Sequence, residues 1–212
     1  VDANAIGTNT NVSGVSSIAL GYGAEVSGKN SISIGTGNIV SGEGSAAIGD
    51  PSRISGTASY SVGNNNTIST NDTFVLGSNV TKTANNSVFF GKDAAYVADS
   101  ATTKGLANDY TSETIQGLTY NYAGGTQNIG VVSVGNVDGT RRIQNVAPAL
   151  ISSTSTDAVN GSQLYDTNRA LGNVAKSVAN LIGGNYTINP DGTITTQLNY
   201  NGNTYNSVQD LV

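Results

Sequence analysis

A short phrase repeats about every 14 residues through residues 1–92, and this period restricts the chain to one kind of architecture. Each repeat carries a glycine that follows a small apolar run. These glycines keep a constant spacing and are Gly7, Gly21, Gly35, Gly49, Gly63, Gly77 and Gly91. A fixed period predicts a solenoid of stacked coils, because each repeat buries its core only against its neighbours.

Side chains on successive residues of a strand point to opposite faces, so each apolar run has two sides. Ser17, Ala19 and Gly21 share one side, and Ile18 and Leu20 share the other. A coil of 14 residues encloses a narrow interior that has no room for aromatic side chains. We therefore expect the small residues to face inward, opposite a second strand in each coil that contributes Val26, Val40 and Ile54.

The same assignment sends the larger residues of each run outward. They are Ile18, Leu20, Ile32, Ile34, Ile48, Tyr60, Val62, Phe74, Leu76, Val88 and Phe90. A large exposed apolar surface indicates a partner, and an identically repeating surface is most simply covered by further copies of the same chain around a rotation axis. The alternative is a monomeric β-helix with these residues inside. Val75 and Phe89 break the pattern of small inward residues in the last coils.

Composition excludes several classes of function. The chain has 212 residues, a net charge of −5 and no Cys or His. It has no basic stripe, so we expect no nucleic-acid partner. Absence of His removes the commonest general base and metal ligand, and no catalytic residue, metal or cofactor is expected. A signal peptide and a membrane anchor are expected to lie outside this segment.

The repeat stops after residue 92, and we expect an insert over residues 93–131. An alternating pattern predicts one strand from Thr114 to Tyr122 and a second from Ile129 to Val134. Gly124-Gly125 between them predicts a turn, so the two strands are expected to form a hairpin.

The last part of the chain divides into further segments, expected at residues 132–163, 164–182, 183–206 and 207–212. Thr156 or Asp157 is a suitable N-cap for a helix. Apolar residues then recur at heptad spacing and predict a short coiled coil, with seam positions Leu164, Thr167, Leu171, Val174, Val178 and Leu181. Turns at 189–192 and 201–202 predict a small β-rich segment, followed by a helix that starts at Ser207.

Three strings make the chain recognisable: Val132-Ser133-Val134-Gly135, Arg141-Arg142-Ile143-Gln144-Asn145-Val146-Ala147, and Asp157-Ala158-Val159-Asn160-Gly161-Ser162-Gln163-Leu164. Together with the Ser-x-Ala-x-Gly repeats, they resemble the head and neck of a trimeric autotransporter adhesin of the YadA-like type. The resemblance covers about the first 182 residues. Residues 183–212 are similar to the β-rich inserts of the stalks of these adhesins, and residues 93–130 depart from the simplest pattern.

The resemblance implies a mainly β fold. Each of three chains would form a left-handed parallel β-roll, and the rolls would pack about a threefold axis. A neck over residues 132–163 would then cross to a neighbouring chain and lead into a short trimeric coiled coil with a β-rich stalk insert. The ladder of outward apolar residues and the coiled-coil seam become the expected trimer interface. The chain would lie on the exposed side of a bacterial outer membrane.

Few residues suggest chemistry, and each has a structural alternative. Arg141 and Arg142, the only adjacent basic pair, would form either a patch for an acidic ligand or ion pairs with Asp138 or Asp157, in the same or a neighbouring chain. We favour the ion pairs, because the arginines lie inside the neck string.

Asn160 and Asp191 also have two readings. Asn160 would either enclose an anion or water on the coiled-coil axis or cap the start of the helix. Asp191-Gly192 would belong to a calcium loop or to a turn, and the turn is favoured because the other acidic ligands are missing. The outer turns of the roll are expected to display Asn9, Asn11, Asn30, Asn38, Asn64, Asn65, Asn66 and Thr67, either as weak repeated ligand contacts or as solubilising residues.

These expectations lead to one main hypothesis of function. The chain would be a surface adhesin head that binds host matrix, host cells or other bacteria through many weak contacts. One alternative is a structural spacer with the ligand site elsewhere in the fibre. A less favoured alternative is a β-helix acyltransferase, a class with six-residue periods and a histidine base.

Overall fold

The computed structural model describes residues 2–106, 109–126 and 128–212. The chain divides into two compact units, Val1–Ile143 and Gln144–Val212, which are described separately.

Two parallel sheets build the repeat region of the first unit. Its strands are β1 (Asn4–Ile6), β2 (Asn11–Val12), β3 (Ile18–Leu20), β4 (Glu25–Val26), β5 (Ile32–Gly35), β6 (Ile39–Val40), β7 (Ala46–Gly49), β8 (Arg53–Ile54), β9 (Tyr60–Val62), β10 (Thr67–Ile68), β11 (Phe74–Leu76) and β12 (Val88–Phe90). One sheet stacks β1, β3, β5, β7, β9, β11 and β12 in that order, and the other stacks β2, β4, β6, β8 and β10. Ile18 pairs with Ile32, and Ile32 with Ala46, so the register advances by one repeat per coil. The predicted mainly β fold with a parallel β-solenoid is confirmed.

The narrow interior is lined by small residues, as expected. Ser17, Ala19, Ser33 and Ala47 are fully buried, and the second strand of each coil buries its β-branched residue, such as Val40, against them. Phe89 and Val75 are also fully buried, although they are larger. Tyr96 and Val131, which come after β12 in the chain, pack against the core.

A column of buried hydroxyl groups links each coil to the next. Ser31 Oγ donates to the Gly42 carbonyl at 2.7 Å and accepts from the Ser45 amide at 3.2 Å. Ser45 repeats both bonds with Gly56 and Ser59, at 2.7 Å and 3.0 Å. Every described side-chain N or O atom that is buried has a hydrogen-bond partner. The hydroxyl at this position of the repeat therefore satisfies backbone groups that the turn leaves unpaired.

The marker glycines are required by close stacking of the coils. Gly21 has a φ of +132°, a conformation that favours glycine, and a Cβ there would overlap the carbonyl oxygen of Gly35 in the next coil. A Cβ at Gly28 would overlap the carbonyl of Gly42 in the same way. Side chains at these positions would push the coils apart.

The insert leaves the roll after the seventh marker glycine and returns to it. Its last strand, β15 (Val132–Ser133), pairs with β12 in parallel, with Val88 opposite Val132. The Val131 amide donates to Ser87 Oγ at 3.0 Å, so the hydroxyl column continues across the insert. The roll sheet thus extends beyond residue 92.

The hairpin of the insert differs from the predicted one. Strands β13 (Ser112–Ile115) and β14 (Leu118–Asn121) pair antiparallel, and β15 is Val132–Ser133. The chain turns at Gln116 and Gly117, which both have positive φ, inside the stretch predicted as one strand. The stretch predicted as the second strand joins the roll instead, because the free edge of β12 pairs with Val132 and Ser133. The predicted hairpin pairing was therefore wrong, and residues 107, 108 and 127 of the insert lie outside the described residues.

The second unit contains a long helix and a small sheet. The helix α1 spans Gly161–Ile182, and the strands are β16 (Asn185–Ile188), β17 (Ile194–Tyr200) and β18 (Asn203–Tyr205). Both turns of this antiparallel sheet lie where the sequence predicts them, and a short helix α2 (Val208–Leu211) follows the predicted cap Ser207. Helix α1 starts later than predicted, because Asn160 rather than Thr156 or Asp157 is its N-cap.

The hydroxyl column gives a direct test of the stacking. We expect Ser45→Ala to lower the free energy of unfolding by about 1–3 kcal/mol, because it leaves the buried Ser59 amide and the Gly56 carbonyl unpaired. Denaturant unfolding at fixed protein concentration measures this loss, and hydrogen exchange at the Ser59 amide localises it. Ser55→Ala on the exposed side of the same coil is the control and should change stability by less than about 0.5 kcal/mol. Equal effects of the two substitutions would contradict the role of the column.

Candidate functional site

One outer face of the roll carries a continuous ladder of apolar side chains. We call it the apolar ladder, and it consists of Ile18, Leu20, Ile32, Ile34, Ile48, Tyr60, Val62, Phe74, Leu76, Val88 and Phe90. Eight of these are 37–47% exposed, and Ile34, Val62 and Val88 are partly buried by their neighbours. Strand pairing stacks them in columns; for example, Tyr60 lies beside Phe74, with ring centroids 6.5 Å apart. The structure thus places the larger residues outward, where the sequence predicts them.

The helix α1 has a second exposed apolar surface. The predicted seam residues Leu164, Leu171, Val174, Val178 and Leu181 are 41–88% exposed. Another side of the same helix packs on the small sheet, where Ala179 and Leu198 are buried. The seam residues are thus exposed, and Leu171, Val174 and Val178 line an open cavity beside the turn between β16 and β17.

Arg141 closes the last coil of the roll. Its guanidinium donates to the carbonyl of Val134 and, at 2.7 Å, to the carbonyl of Lys92. It lies over Gly91, where a Cβ would come within 2.9 Å of the guanidinium carbon. This arginine satisfies carbonyl groups at the point where the repeat ends.

The ion pair predicted between the arginines and Asp138 does not form within the first unit. In its described residues, neither Arg141 nor Arg142 is within salt-bridge distance of Asp138. In the second unit, Asp157 accepts a hydrogen bond from the Leu150 amide at 3.0 Å. Arg142 is exposed.

Asn160 and Gln163 join the start of the helix to the extended segment before it. Asn160 caps α1, and the side chain of Gln163 returns to its backbone in a capping box. The Gln163 amide also forms two 2.8 Å hydrogen bonds with Ala149, accepting from its N–H and donating to its carbonyl. The Asn160 amide donates to the Val146 carbonyl at 3.1 Å. The capping role predicted for Asn160 is confirmed, and the role of Gln163 was missed because its partner lies 14 residues away.

Two asparagines expected on the outer turns are buried instead. Asn38 and Asn66 are at most 1% exposed. The Asn38 side chain donates to the Ile34 and Gly49 carbonyls at 2.9 Å and accepts from the Ser52 amide at 2.7 Å. These residues belong to another inward column at the same period, which also contains Thr10, Ala24, Ser52, Val80 and Ala94. The 14-residue period was the sequence signal for this column, whose members are small, β-branched or able to satisfy backbone groups.

Two tyrosines and a lysine meet at the base of the insert hairpin. The rings of Tyr110 and Tyr122 are 5.1 Å apart, and the Lys104 ammonium is 5.2 Å from the centre of the Tyr110 ring. Burial raises the pKa of the Tyr110 phenol, with smaller contributions from Tyr122 and Glu113. The group lines an open cavity of about 440 Å³.

The turn at Asp191 is structural, as favoured from the sequence. The Asp191 carboxylate accepts hydrogen bonds from the Thr193 hydroxyl at 2.7 Å and from its amide at 3.0 Å. These bonds lower the pKa of Asp191. Across the described part of the chain, no three acidic, His or Cys side chains come together as metal ligands, and no helix is long and apolar enough to cross a membrane.

Comparison with known proteins points to one group of adhesins. The family described as the coiled stalk of trimeric autotransporter adhesin matches residues 142–186. Autotransporter adhesin BtaE of Brucella suis is 47% identical over 81 residues, which cover 38% of this chain and 10% of BtaE. Autotransporter adhesin EhaG of Escherichia coli O157:H7 is 45% identical over 71 residues, which cover 33% of this chain and 4% of EhaG. The chain thus spans a tenth or less of the length of these relatives.

Among solved structures, the C-terminal YadA-like domain of BPSL2063 from Burkholderia pseudomallei aligns with 91% of this chain and 62% of its own. The identity is 25% and the TM-score 0.41.

The Gln163 contact predicts a pH-dependent variant. In Gln163→Glu, the ionised carboxylate still accepts from the Ala149 amide but faces the Ala149 carbonyl without a proton to donate. We expect a loss of about 1–2 kcal/mol at neutral pH. Protonation restores the donor, so the folded state raises the pKa of the introduced carboxyl group. Its stabilising contribution is then present below the unfolded pKa and lost as pH rises through the folded pKa.

Thermal unfolding of this variant and the unmodified chain between pH 3 and pH 7, that is across about the usual carboxyl pKa, measures the effect. Gln197→Glu, at an exposed position of β17, is the control and should show no comparable pH dependence. A Gln163→Glu variant as stable as the unmodified chain at neutral pH would contradict the proposed contact.

Proposed function

We propose that this chain, a segment of a YadA-like trimeric autotransporter adhesin, mediates multivalent attachment of a bacterium to host matrix, host cells or other bacteria. The family assignment rests on the stalk match and on the curated adhesins, and it confirms the resemblance drawn from the neck strings. The attachment itself and its partners are our inference for this segment.

The observation that carries the proposal is the apolar ladder. A surface of this length, made of isoleucine, leucine and aromatic side chains, costs free energy in water, since burial of apolar area yields about 25 cal/mol per Å². The ladder repeats with the register of the strands, so a copy related by rotation presents a matching surface. We infer that the ladder is the interface of a homotrimer.

The seam of α1 supports the same state of assembly. Its exposed residues recur at heptad spacing, which suits a coiled coil of identical helices. We infer that Leu164, Leu171, Val174, Val178 and Leu181 pack around the axis. Arg142 and Asp157, which are exposed in one chain, remain candidates for contacts in the neck between chains.

The proposed mechanism is geometric. Three copies of every surface position are held in one assembly, so a second and third contact form at high effective concentration after the first. Weak contacts then suffice for attachment. The curated relatives carry the name of adhesins, which supports a binding role over an enzymatic one, and we place the segment on the exposed side of the outer membrane.

The proposed interface can be tested with two variants, each of which places one aspartate on the outer face of one of the two sheets. In Ile34→Asp, three carboxylates would be forced together in a dry interface, at a cost of roughly 3–5 kcal/mol each. We expect this variant to sediment as a monomer. Ile39→Asp is the matched control, because Ile39 is a partly buried outward residue of the second sheet, and it should stay trimeric. An Ile34→Asp trimer of unchanged stability would show that another face meets the axis.

Attachment can be tested with the purified trimer and with monomeric Ile34→Asp. We expect the trimer to be retained on at least one of immobilised collagen, immobilised laminin, cultured epithelial cells and sister bacteria. Retention of the monomer should be at least about tenfold weaker, because avidity is lost. A confirmed trimer that binds none of these surfaces would favour a structural spacer with the ligand site elsewhere.

A further inference from the structure

The cavity at the base of the insert hairpin has the features of a small-ligand site. Its volume of about 440 Å³ lies in the range of about 300–1,000 Å³ typical of ligand pockets. We call it the tyrosine cavity, and its lining includes Lys104, Tyr110, Tyr122, Gly124, Gly125 and Asn128. It belongs to the part of the chain that interrupts the repeat, so the stacking of the roll does not require it.

The two rings give the cavity an aromatic wall, and the exposed ring is that of Tyr122. Tyr110 and Tyr122 are tilted by 41° rather than stacked, so their faces are not covered by one another. Tyr122 is 37% exposed. The chain path brings them together, because the Tyr122 amide donates to the Thr111 carbonyl and the Tyr110 amide to the Gly125 carbonyl.

Charge around the cavity excludes ligands of either sign. The structure places two acidic side chains beside the cavity, Asp99 next to Lys104 and Glu113 next to the Tyr110 hydroxyl, and Lys104 is the single basic residue of the insert. Lys104 is already 3.8 Å from Asp99, so a bound anion would meet net negative charge. A cation would find the Tyr110 ring occupied by the ammonium of Lys104, which repels it. The charges beside the cavity therefore favour a ligand without net charge.

Polar groups at the rim of the tyrosine cavity restrict the chemical class of the ligand further. The Asn128 amide, the Lys104 ammonium and the backbone of Gly124 and Gly125 supply donors and acceptors next to the rings. A ligand with one apolar face and a periphery of hydroxyl groups can contact both the aromatic rings and these polar groups. The C–H groups of a pyranose ring carry partial positive charge and pack on the negative face of an aromatic ring.

We propose that the tyrosine cavity binds one neutral sugar ring of a surface glycan. The inference rests on the proposed adhesive function and gives it a ligand class. A single ring in an open cavity binds weakly, and three cavities per trimer raise the apparent affinity on a glycan-coated surface. Attachment would then depend on the insert rather than on the repeats of the roll.

Saturation-transfer NMR with the full chain and free lactose, cellobiose or diacetylchitobiose tests the proposal. We expect transfer to the ring protons of at least one sugar, and shifts of the Lys104, Gly124 and Gly125 amide resonances on its addition. Tyr110→Leu and Tyr122→Leu should each reduce transfer at least about tenfold, because leucine fills space without an aromatic face. Tyr200→Leu, at an exposed tyrosine of β17, should leave it unchanged.

A tyrosine variant that loses the hairpin would show changed Thr114 and Thr119 amide resonances. In that case Asn128→Ala, a substitution at an exposed rim position, replaces the tyrosine variant in the test. It should weaken binding several-fold with the hairpin intact. The proposal would be overturned by any of three results. These are no transfer to any of the three sugars, transfer that survives both leucine variants, and binding of a proline-rich peptide at the cavity in place of sugars. If the chain adheres to cells but binds no sugar, the sugar site is refuted and the proposed adhesive function stands. If the chain neither adheres to cells nor binds sugar, both proposals are refuted.

Discussion

The stacking of coils through buried hydroxyl groups is the interaction on which the rest of the structure depends. Ser31 and Ser45 each bind a carbonyl and an amide of the following coil through one oxygen atom. This arrangement requires a small side chain at the centre of the coil. On the strands of the first sheet before β11 it therefore leaves little interior volume for a large side chain, and the strand alternation directs Ile18 and Tyr60 outward. An outer face made of large apolar residues is thus a consequence of small residues on the inner side of the same strands.

Much of the roll could be predicted from sequence because its period is constant and its side-chain direction follows the period of a strand. Ser17, Ala19 and Tyr60 lie on the sides that this reasoning assigns to them. Asn38 and Asn66 were placed wrongly, because asparagine is usual in turns and its use as a buried substitute for backbone hydrogen bonds depends on neighbours in three dimensions. The insert was harder, since nothing local indicates that Val132 pairs with Val88, 44 residues before it.

The region before α1 shows a similar limit. The capping role of Asn160 was one of two readings that its position in the sequence left open. The paired hydrogen bonds between Gln163 and Ala149 were not predictable, because they join a helix to an extended segment that has no periodic pattern. Arg141 likewise was expected to pair with a carboxylate and instead binds backbone carbonyls where the repeat ends. In each case an unpaired backbone group determines the contact, and sequence patterns do not show which backbone groups lack a partner.

We infer that two further copies of the chain cover the apolar ladder and the helix seam. The solution mass of the unmodified protein, measured by sedimentation equilibrium over a range of concentrations, tests it most directly. We expect a single species of three times the chain mass of 21.4 kDa. A stable monomer with the ladder exposed to solvent would contradict it.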